Sequence, residues 1–367
     1  MKLILFADRL PPLIGGMETH AHYFVKYFCD KYDLIIISKK DEFDCLVDCN
    51  YQFIDYINLT EYLLRIKNEK SIIFYNSGRW IEQMENIHKC LPNSLTFYRT
   101  GGNEIIKSPL SSNISSYEKR KEIWREIINK CVDYLVTNSD FTDKRLIEFG
   151  IKKDILVHIA GGIDIKNIEY AHKHCNETRK KYGISENDFL ISSCARFVAY
   201  KQPLFLIDSL SKCKKDFIAI FAGDGPLLDE SIDYSKKVML NAKFLNSISQ
   251  FEALNLIAAS DLYVQASTDL IVKVCGGEYI HTEGMGRSLL EAISLGIPVV
   301  CCRCGALSEY INDENGILVD SSEQMISAID YFISHKKEIK LNSNYMNKYS
   351  FEKIFKEYEK IWKERGF

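Results

Sequence analysis

Two glutamates that could bind a ligand through their carboxylates lie close together in the second half of the sequence. Glu283 stands in a glycine-bearing turn, and Glu291 follows on the helix that the turn opens. We expect this helix to begin near Gly286 and to stop at Gly296, because glycine commonly follows the last helical residue. A carboxylate accepts hydrogen bonds from hydroxyl groups, so the two glutamates predict a ligand that carries several hydroxyls.

The start of the same helix predicts a site for an anion. Backbone N–H groups in the first turn of a helix have no partner within the helix, and here they belong to residues near Ser288 and Leu289. Such N–H groups point at whatever lies in front of the helix and bind phosphate readily. A site for both phosphate and several hydroxyls indicates a nucleotide sugar.

Two cations follow a predicted strand at 189–197. Arg196 stands at the end of this strand, and Lys201 at the start of the next predicted helix. Together they could neutralise a diphosphate and stabilise it as a leaving group. The alternative is two solvated surface cations, which is the usual fate of lysine and arginine.

A glycine pair, Gly15 and Gly16, separates the first predicted strand from the first predicted helix. Glycine lets the backbone approach a ligand closely. The alternative is an ordinary turn between a strand and a helix.

The elements that must position these residues alternate between strands and helices along the whole chain. Short apolar strands separated by amphipathic helices are typical of an α/β fold with doubly wound parallel sheets. The pattern restarts near residue 189 after a polar segment at 166–177, the best candidate for a linker. We therefore predict a Rossmann-like domain at 1–165, a second one at 178–347, and a terminal helix at 348–367.

Composition narrows the function classes. The 367 residues carry a net charge of −3, which gives no general field for nucleic acid. No run of 18 apolar residues predicts a transmembrane helix, so we expect a cytoplasmic protein. The 12 cysteines do not indicate a disulfide scaffold in so long a chain. Cys301 and Cys304 have C-x-x-C spacing without a second pair, so zinc is not expected.

Taken together, these motifs resemble the GT-B glycosyltransferases of the large retaining family 4. The resemblance is collinear over nearly the whole second half, and in the first half it rests on the glycine pair and on A-G-G-I-D at 160–164. The other matching stretches are A-R-F-V-A-Y-K at 195–201, G-D-G-P at 223–226, E-G-M-G-R-S-L-L-E at 283–291 and A-I-S-L-G-I-P-V-V at 292–300. The resemblance implies two Rossmann-like domains facing a cleft, with the terminal helix returning to the first domain.

The resemblance also implies roles for the residues above. Arg196 and Lys201 would hold the donor diphosphate and offset its charge as it leaves. Glu283 would contact the donor sugar and Glu291 the ribose. The remaining donor-binding positions would be Gly15, Gly16, Gly284, Met285, Gly286, Ser288 and Leu289. The cations and the helix start would replace a divalent metal, so neither metal nor cofactor is expected.

The chain departs from the family pattern in two places. Many relatives carry a histidine where this chain has Arg99 and Thr100, which leaves the acceptor side open. Thr100 and Asn103 are candidates there by position, although they could simply form a tight turn. The second departure is an insertion at 268–282 that includes His281, a further acceptor-side candidate. It could be a specificity loop or lid, or a hairpin without a chemical role.

The function predicted from these features is hexosyl transfer. A retaining glycosyltransferase would move a sugar from a nucleotide diphosphate sugar to a glycan or lipid-linked acceptor in bacterial cell-surface polysaccharide synthesis. The alternatives are a GT-B-like sugar-nucleotide 2-epimerase and a non-catalytic sugar-nucleotide-binding protein. A basic stretch at 118–125 could contact the inner face of a membrane, or its apolar positions could form a core stripe.

Overall fold

The computed structural model describes residues 1–7, 10, 15–38, 46, 48–76, 78–107, 116–336, 338 and 340–367. Its internal contacts divide the chain into two compact units, and the chain crosses between them more than once. Unit 1 consists of Met1–Gly162, Ile271–Tyr279 and Phe351–Phe367, and unit 2 consists of Ile163–Leu270 and Ile280–Ser350.

Unit 1 is built on a seven-stranded parallel sheet of order β3-β2-β1-β4-β5-β6-β7. Its strands are β1 (Lys2–Phe6), β2 (Asp33–Ser38), β3 (Gln52–Asp55), β4 (Ser71–Tyr75), β5 (Leu95–Arg99), β6 (Tyr134–Thr137) and β7 (Leu156–His158). Its first six helices are α1 (Gly16–Phe28), α2 (Leu59–Arg65), α3 (Ile81–Cys90), α4 (Asn103–Lys107), α5 (Tyr117–Cys131) and α6 (Asp140–Phe149). The central strands are continuous apolar runs because helices cover both faces of the sheet.

The basic stretch at 118–125 lies on α5, whose apolar side faces the core. Trp124, Ile128 and Cys131 are buried, and Ile127 packs against the same core. This burial favours the core-stripe interpretation of the helix. None of the described helices is long and apolar enough to cross a membrane.

Unit 2 is built on a six-stranded parallel sheet of order β10-β9-β8-β11-β14-β15. Its sheet strands are β8 (Leu190–Cys194), β9 (Ile218–Ala222), β10 (Ala242–Leu245), β11 (Leu262–Gln265), β14 (Val299–Cys302) and β15 (Gly316–Val319). Its helices are α7 (Ile165–Lys173), α8 (Cys175–Lys181), α9 (Pro203–Ser211), α10 (Leu228–Lys237), α11 (Gln250–Ala258), α12 (Arg287–Ser294), α13 (Ser322–Ser334) and α14 (Ser343–Tyr349).

The polar segment at 166–177 is helical and belongs to unit 2. The Asp164 side chain caps α7 by accepting a hydrogen bond from the Asn167 N–H. Ile168 and Ala171 are buried three residues apart, on one side of the helix. Polar composition suggested a linker here, but two apolar residues at helical spacing are enough to anchor the segment.

The insertion at 268–282 forms a β-hairpin. Its strands are β12 (Leu270–Val274) and β13 (Gly277–His281), joined by two residues of which Gly276 has a φ of +76°. Although the insertion falls within the predicted second domain, residues 271–279 group with unit 1. There the Tyr117 N–H donates to the Cys275 carbonyl at 2.9 Å, and the Tyr117 and Tyr279 rings are 6.1 Å apart.

The terminal helix α15 (Phe351–Glu364) returns to unit 1 as the family resemblance implied. Its buried side chains join the core around α1, where they contact Phe24 and Phe28. These side chains are Phe351, Ile354, Phe355, Tyr358 and Trp362. Each large apolar side chain removed from water contributes about 1.5–3 kcal/mol, so α15 is an integral part of unit 1.

Candidate functional site

Glu283 lies in unit 2 with its carboxylate paired to the Lys201 ammonium. Ser267, just beyond the end of β11, donates its hydroxyl to the same carboxylate oxygen at 2.9 Å. The Gln265 side-chain amide in turn donates to the Ser267 hydroxyl at 2.9 Å. Glu283 is only 9% exposed, so its orientation is set by these polar partners.

The partners of Glu283 determine its ionisation. Burial on its own would raise the pKa of Glu283, but the charge of Lys201 and the hydrogen bonds from Lys201 and Ser267 outweigh it. The pKa of Glu283 therefore lies below its usual range. The carboxylate is ionised near neutral pH and acts as a hydrogen-bond acceptor.

Tyr200 organises the two predicted cations. It lies in a short 3₁₀ turn between Arg196 and Lys201, and the Arg196 guanidinium donates to the Tyr200 hydroxyl at 2.8 Å. The Thr268 N–H donates to the Tyr200 carbonyl at 2.8 Å, which joins the end of β8 to the end of β11. Arg196 is exposed, whereas Lys201 is turned towards Glu283. The structure thus brings both cations to one edge of the sheet of unit 2.

The G-D-G-P turn supports the loop that carries Arg196. Gly223 and Gly225 have φ values of +143° and +148°, and a side chain at either position would collide with the backbone of Ala195 or Phe197. The Phe197 N–H also donates to the Asp224 carbonyl at 2.9 Å. These glycines are needed for close backbone packing.

The start of α12 is where the sequence predicts an anion site. Gly286 has a φ of +73° and lets the turn enter the helix. The Leu289 N–H donates to the Gly286 carbonyl at 3.1 Å, so it is already used. Among the described residues the Ser288 N–H has no backbone acceptor. Ser288 also accepts a hydrogen bond from the Tyr263 hydroxyl at 2.7 Å through its own hydroxyl.

Glu291 lies on the second turn of α12 in a less polar environment than Glu283. Burial raises the pKa of Glu291, and Arg287 at 3.7 Å with the Gln250 amide at 3.4 Å only partly oppose this. The pKa values of the two glutamates are therefore shifted in opposite directions, down for Glu283 and up for Glu291. Gln250, the first residue of α11, was not predicted, because only the fold brings it to Glu291.

His281 ends β13 with its ring 4.4 Å from the ring of Tyr200. This acceptor-side candidate belongs to unit 2 and lies beside the residue that bonds to Arg196. Its side chain is partly exposed.

The unit 1 candidates lie at the start of α1 and after the end of β5. The Glu18 carboxylate folds back over Gly15, whose carbonyl accepts from the Thr19 N–H at 3.1 Å. Thr100 is buried, and its hydroxyl donates to Glu104 at 2.7 Å and accepts from the Gly102 N–H. This bonding is that of a tight turn.

Asn103 and Gly16 complete the unit 1 candidates. The Asn103 side-chain oxygen accepts from Arg145 at 3.3 Å, and Gly16 begins α1 with open space where a side chain would project.

One group of metal-ligand type is present among the described residues. Asp140, Asp143 and His158 lie together in unit 1, with 3.1 Å between His158 Nδ1 and Asp140. Asp143 also accepts a hydrogen bond from the Thr137 hydroxyl, and burial raises its pKa. None of these residues belongs to the predicted site.

Comparisons with known proteins relate the chain to glycosyltransferases. Residues 175–351 match the family described as glycosyl transferases group 1. A GDP-mannose-dependent monoacylated α-(1-6)-phosphatidylinositol monomannoside mannosyltransferase of Corynebacterium glutamicum is 22% identical, over 88% of this chain and 85% of that protein. An N-acetyl-α-D-glucosaminyl L-malate synthase of Bacillus anthracis is 23% identical over 63% of this chain and 65% of its own length.

Solved structures show the same fold. The crystal structure of Anabaena HepE in complex with UDP superposes with a TM-score of 0.80, at 18% identity, over 99% of this chain and all of that one. WaaG, a glycosyltransferase involved in lipopolysaccharide biosynthesis, superposes with a TM-score of 0.65 at 15% identity, over 94% of this chain and 92% of its own. The chain is therefore a glycosyltransferase with the GT-B fold, and its residues 175–351 match the glycosyl transferases group 1 family.

Proposed function

We propose that this glycosyltransferase moves a hexose from a nucleoside diphosphate sugar to a glycan or lipid-linked acceptor, with retention of anomeric configuration. The observation that carries the proposal is the group formed by Lys201, Glu283 and Ser267 beside the start of α12. It offers a cation for a leaving diphosphate and an ionised, oriented carboxylate for sugar hydroxyls.

The donor class is supported both by a relative in sequence and by a solved structure of the same fold. The Corynebacterium protein uses GDP-mannose according to its name, and Anabaena HepE was crystallised with UDP and with UDP-glucose. Relatives also serve lipopolysaccharide core and O-antigen biosynthesis. We infer a cell-surface glycan or glycolipid as the product, without metal or cofactor.

Arg196 and Lys201 would act on the charge that develops as the donor bond breaks. Negative charge grows on the diphosphate in the transition state, and preorganised cations stabilise it without further rearrangement. Lys201 is held by Glu283 before the donor binds, so its position is set in advance. Glu291 would accept from the ribose hydroxyls next to Gln250 and Arg287.

A donor panel tests the proposal. The purified protein would be incubated with UDP-, GDP- and ADP-hexoses, including UDP-glucose and GDP-mannose, and release of the nucleoside diphosphate measured. We expect one donor to be hydrolysed, and the anomeric configuration of the hexose first released to water, read by NMR before mutarotation, to match that of the donor. An epimerised donor would instead support the 2-epimerase, and binding without turnover would support the sugar-nucleotide-binding protein.

A further inference from the structure

Three side chains form a hydrogen-bonded group next to Glu283. Asp269 precedes the β12–β13 hairpin and Thr282 follows it, and the Thr282 hydroxyl bonds to an Asp269 carboxylate oxygen. The Cys304 thiol donates to the same oxygen at 3.2 Å and lies 3.6 Å from the Thr282 hydroxyl. We call Asp269, Thr282 and Cys304 the clasp.

The clasp has a buried side and an exposed side. Thr282 is 2% exposed and Cys304 is 1% exposed, whereas Asp269 is exposed to solvent. Burial raises the pKa of the Cys304 thiol to about 12, so the thiol stays protonated and serves as a donor. A buried hydroxyl and a buried thiol thus hold one oxygen of a surface carboxylate.

The clasp lies beside the backbone of Glu283. Thr282 is the preceding residue in the chain, and Gly305 follows Cys304 with a φ of +50°. Gly305 lies so close that a side chain there would collide with the Glu283 carbonyl and the Thr282 hydroxyl. The next residue, Ala306, donates its N–H to the Glu283 carbonyl at 2.9 Å.

The position of the clasp in the chain explains the need for it. Asp269 and Thr282 both belong to unit 2, but residues 271–279 between them belong to unit 1. Glu283 therefore follows, by four residues, a segment of the chain that belongs to the other unit. The bond between Asp269 and Thr282 joins the chain on either side of that segment.

We propose that Thr282 is a positioning residue for Glu283, anchored by Asp269 and Cys304. The clasp keeps the Glu283 carboxylate at Lys201 irrespective of displacements of the hairpin. The role rests on the proposed function, in which Glu283 contacts the donor sugar. Misplacement of a reacting group by about 1 Å can cost on the order of a hundredfold in rate, so loss of the clasp should lower turnover strongly.

The test uses two pairs of variants of the full chain. In each pair, one variant removes the hydrogen bond between Thr282 and Asp269 and the other keeps it. Thr282→Val removes the hydroxyl at nearly constant shape, whereas Thr282→Ser keeps it. Asp269→Ala removes the acceptor, whereas Asp269→Asn keeps an acceptor oxygen but no charge. Turnover with the donor found in the panel and affinity for its nucleoside diphosphate would be measured for all four.

We expect Thr282→Val and Asp269→Ala to lose about tenfold to a hundredfold in turnover, with nucleoside diphosphate affinity unchanged. Thr282→Ser and Asp269→Asn should stay within about threefold of the parent protein in turnover. The matched control is Asp320→Asn, which changes another exposed carboxylate, one paired with Arg303 after β15. It should leave both measurements unchanged.

Two results would overturn the role of Thr282. The first is parental turnover in Thr282→Val. The second is an equal loss in Asp269→Asn and Asp269→Ala, which would show that the charge of Asp269 matters, and not its bond to Thr282. If Thr282→Val does not fold, as judged by thermal melting, the exposed Asp269 pair decides the question. A parent protein that turns over no donor overturns the proposed function, and the role of Thr282 with it.

Discussion

Lys201 is the residue whose removal should affect both the leaving group and Glu283. Lys201→Ala removes a cation near the developing diphosphate charge. We expect a loss of about 2–4 kcal/mol of transition-state stabilisation, which lowers turnover. Arg196→Ala should also lower turnover, since Arg196 is oriented towards the same edge by Tyr200. Steady-state kinetics under saturating donor measures both, and near-parental turnover in the two variants would refute the assignment.

The pH dependence of turnover should distinguish the role of Lys201 from that of Arg196. Lys201 lowers the pKa of Glu283 against the opposing effect of burial, so without Lys201 the carboxylate should titrate at higher pH. Because the pKa of Glu283 is lowered, turnover that requires its ionised form is lost only as the pH falls through that low value. We expect the acid limb of turnover to move to higher pH in Lys201→Ala but not in Arg196→Ala. An unmoved limb in Lys201→Ala would show that Glu283 ionisation does not control turnover.

The two glutamates should divide their work between nucleotide and sugar. If Glu291 binds the ribose, Glu291→Ala should weaken binding of the free nucleoside diphosphate as well as the donor, since these contacts are the same before and during reaction. Glu283→Ala should spare nucleoside diphosphate affinity and depress turnover. Calorimetric titration of both variants decides this, and equal losses of nucleotide affinity would contradict the division.

At the scale of elements, α1 and α15 enclose a histidine that should make unit 1 sensitive to acid. His20 is 1% exposed among Phe24, Phe74 and Phe355. Burial and the nearby charge of Arg99 lower its pKa well below 6.5, although a hydrogen bond with Asn76 opposes them. His20 is therefore neutral in the folded protein and takes up a proton more readily when unfolded.

This difference sets the sign of the pH dependence. The unfolded chain binds more protons, so the free energy of unfolding should fall as pH drops below about 6.5, by up to about 1.4 kcal/mol per pH unit. Urea unfolding followed by tryptophan fluorescence between pH 7.5 and 5 measures this, since Trp362 lies on α15. His20→Leu should show a smaller dependence over the same range. An equal dependence in both proteins would exclude His20 as the cause.

At the scale of the whole molecule, the positive field of the predicted site comes from the chain itself. Arg196, Lys201 and the first N–H groups of α12 would take the place of a divalent metal. We therefore expect donor turnover to persist in excess chelator. Abolition by EDTA with rescue by magnesium or manganese would contradict this, and the group at Asp140, Asp143 and His158 would then be the first to mutate.

Local patterns in the sequence predicted the two α/β sheets and the terminal helix, and they singled out the candidate residues of unit 2. Strand and helix periodicity is local, and the residues that face a ligand follow the ends of predicted strands in a fixed order. Arg196, Lys201 and Glu283 could be named for this reason. Glu283 contacts Lys201, which follows β8, and Ser267, which follows β11, because the carboxyl ends of these two parallel strands lie at one edge.

Only the tertiary structure showed which side chains orient these residues. Ser267 and Gln250 lie in no motif identified in the sequence, and they contact Glu283 and Glu291 because segments distant in the chain meet at the sheet edge. The hairpin at 270–281 interrupts the second half of the sequence, yet most of it packs in unit 1. Burial against a core is a long-range property, so neither the grouping of the hairpin nor the clasp at its base could be read from local pattern.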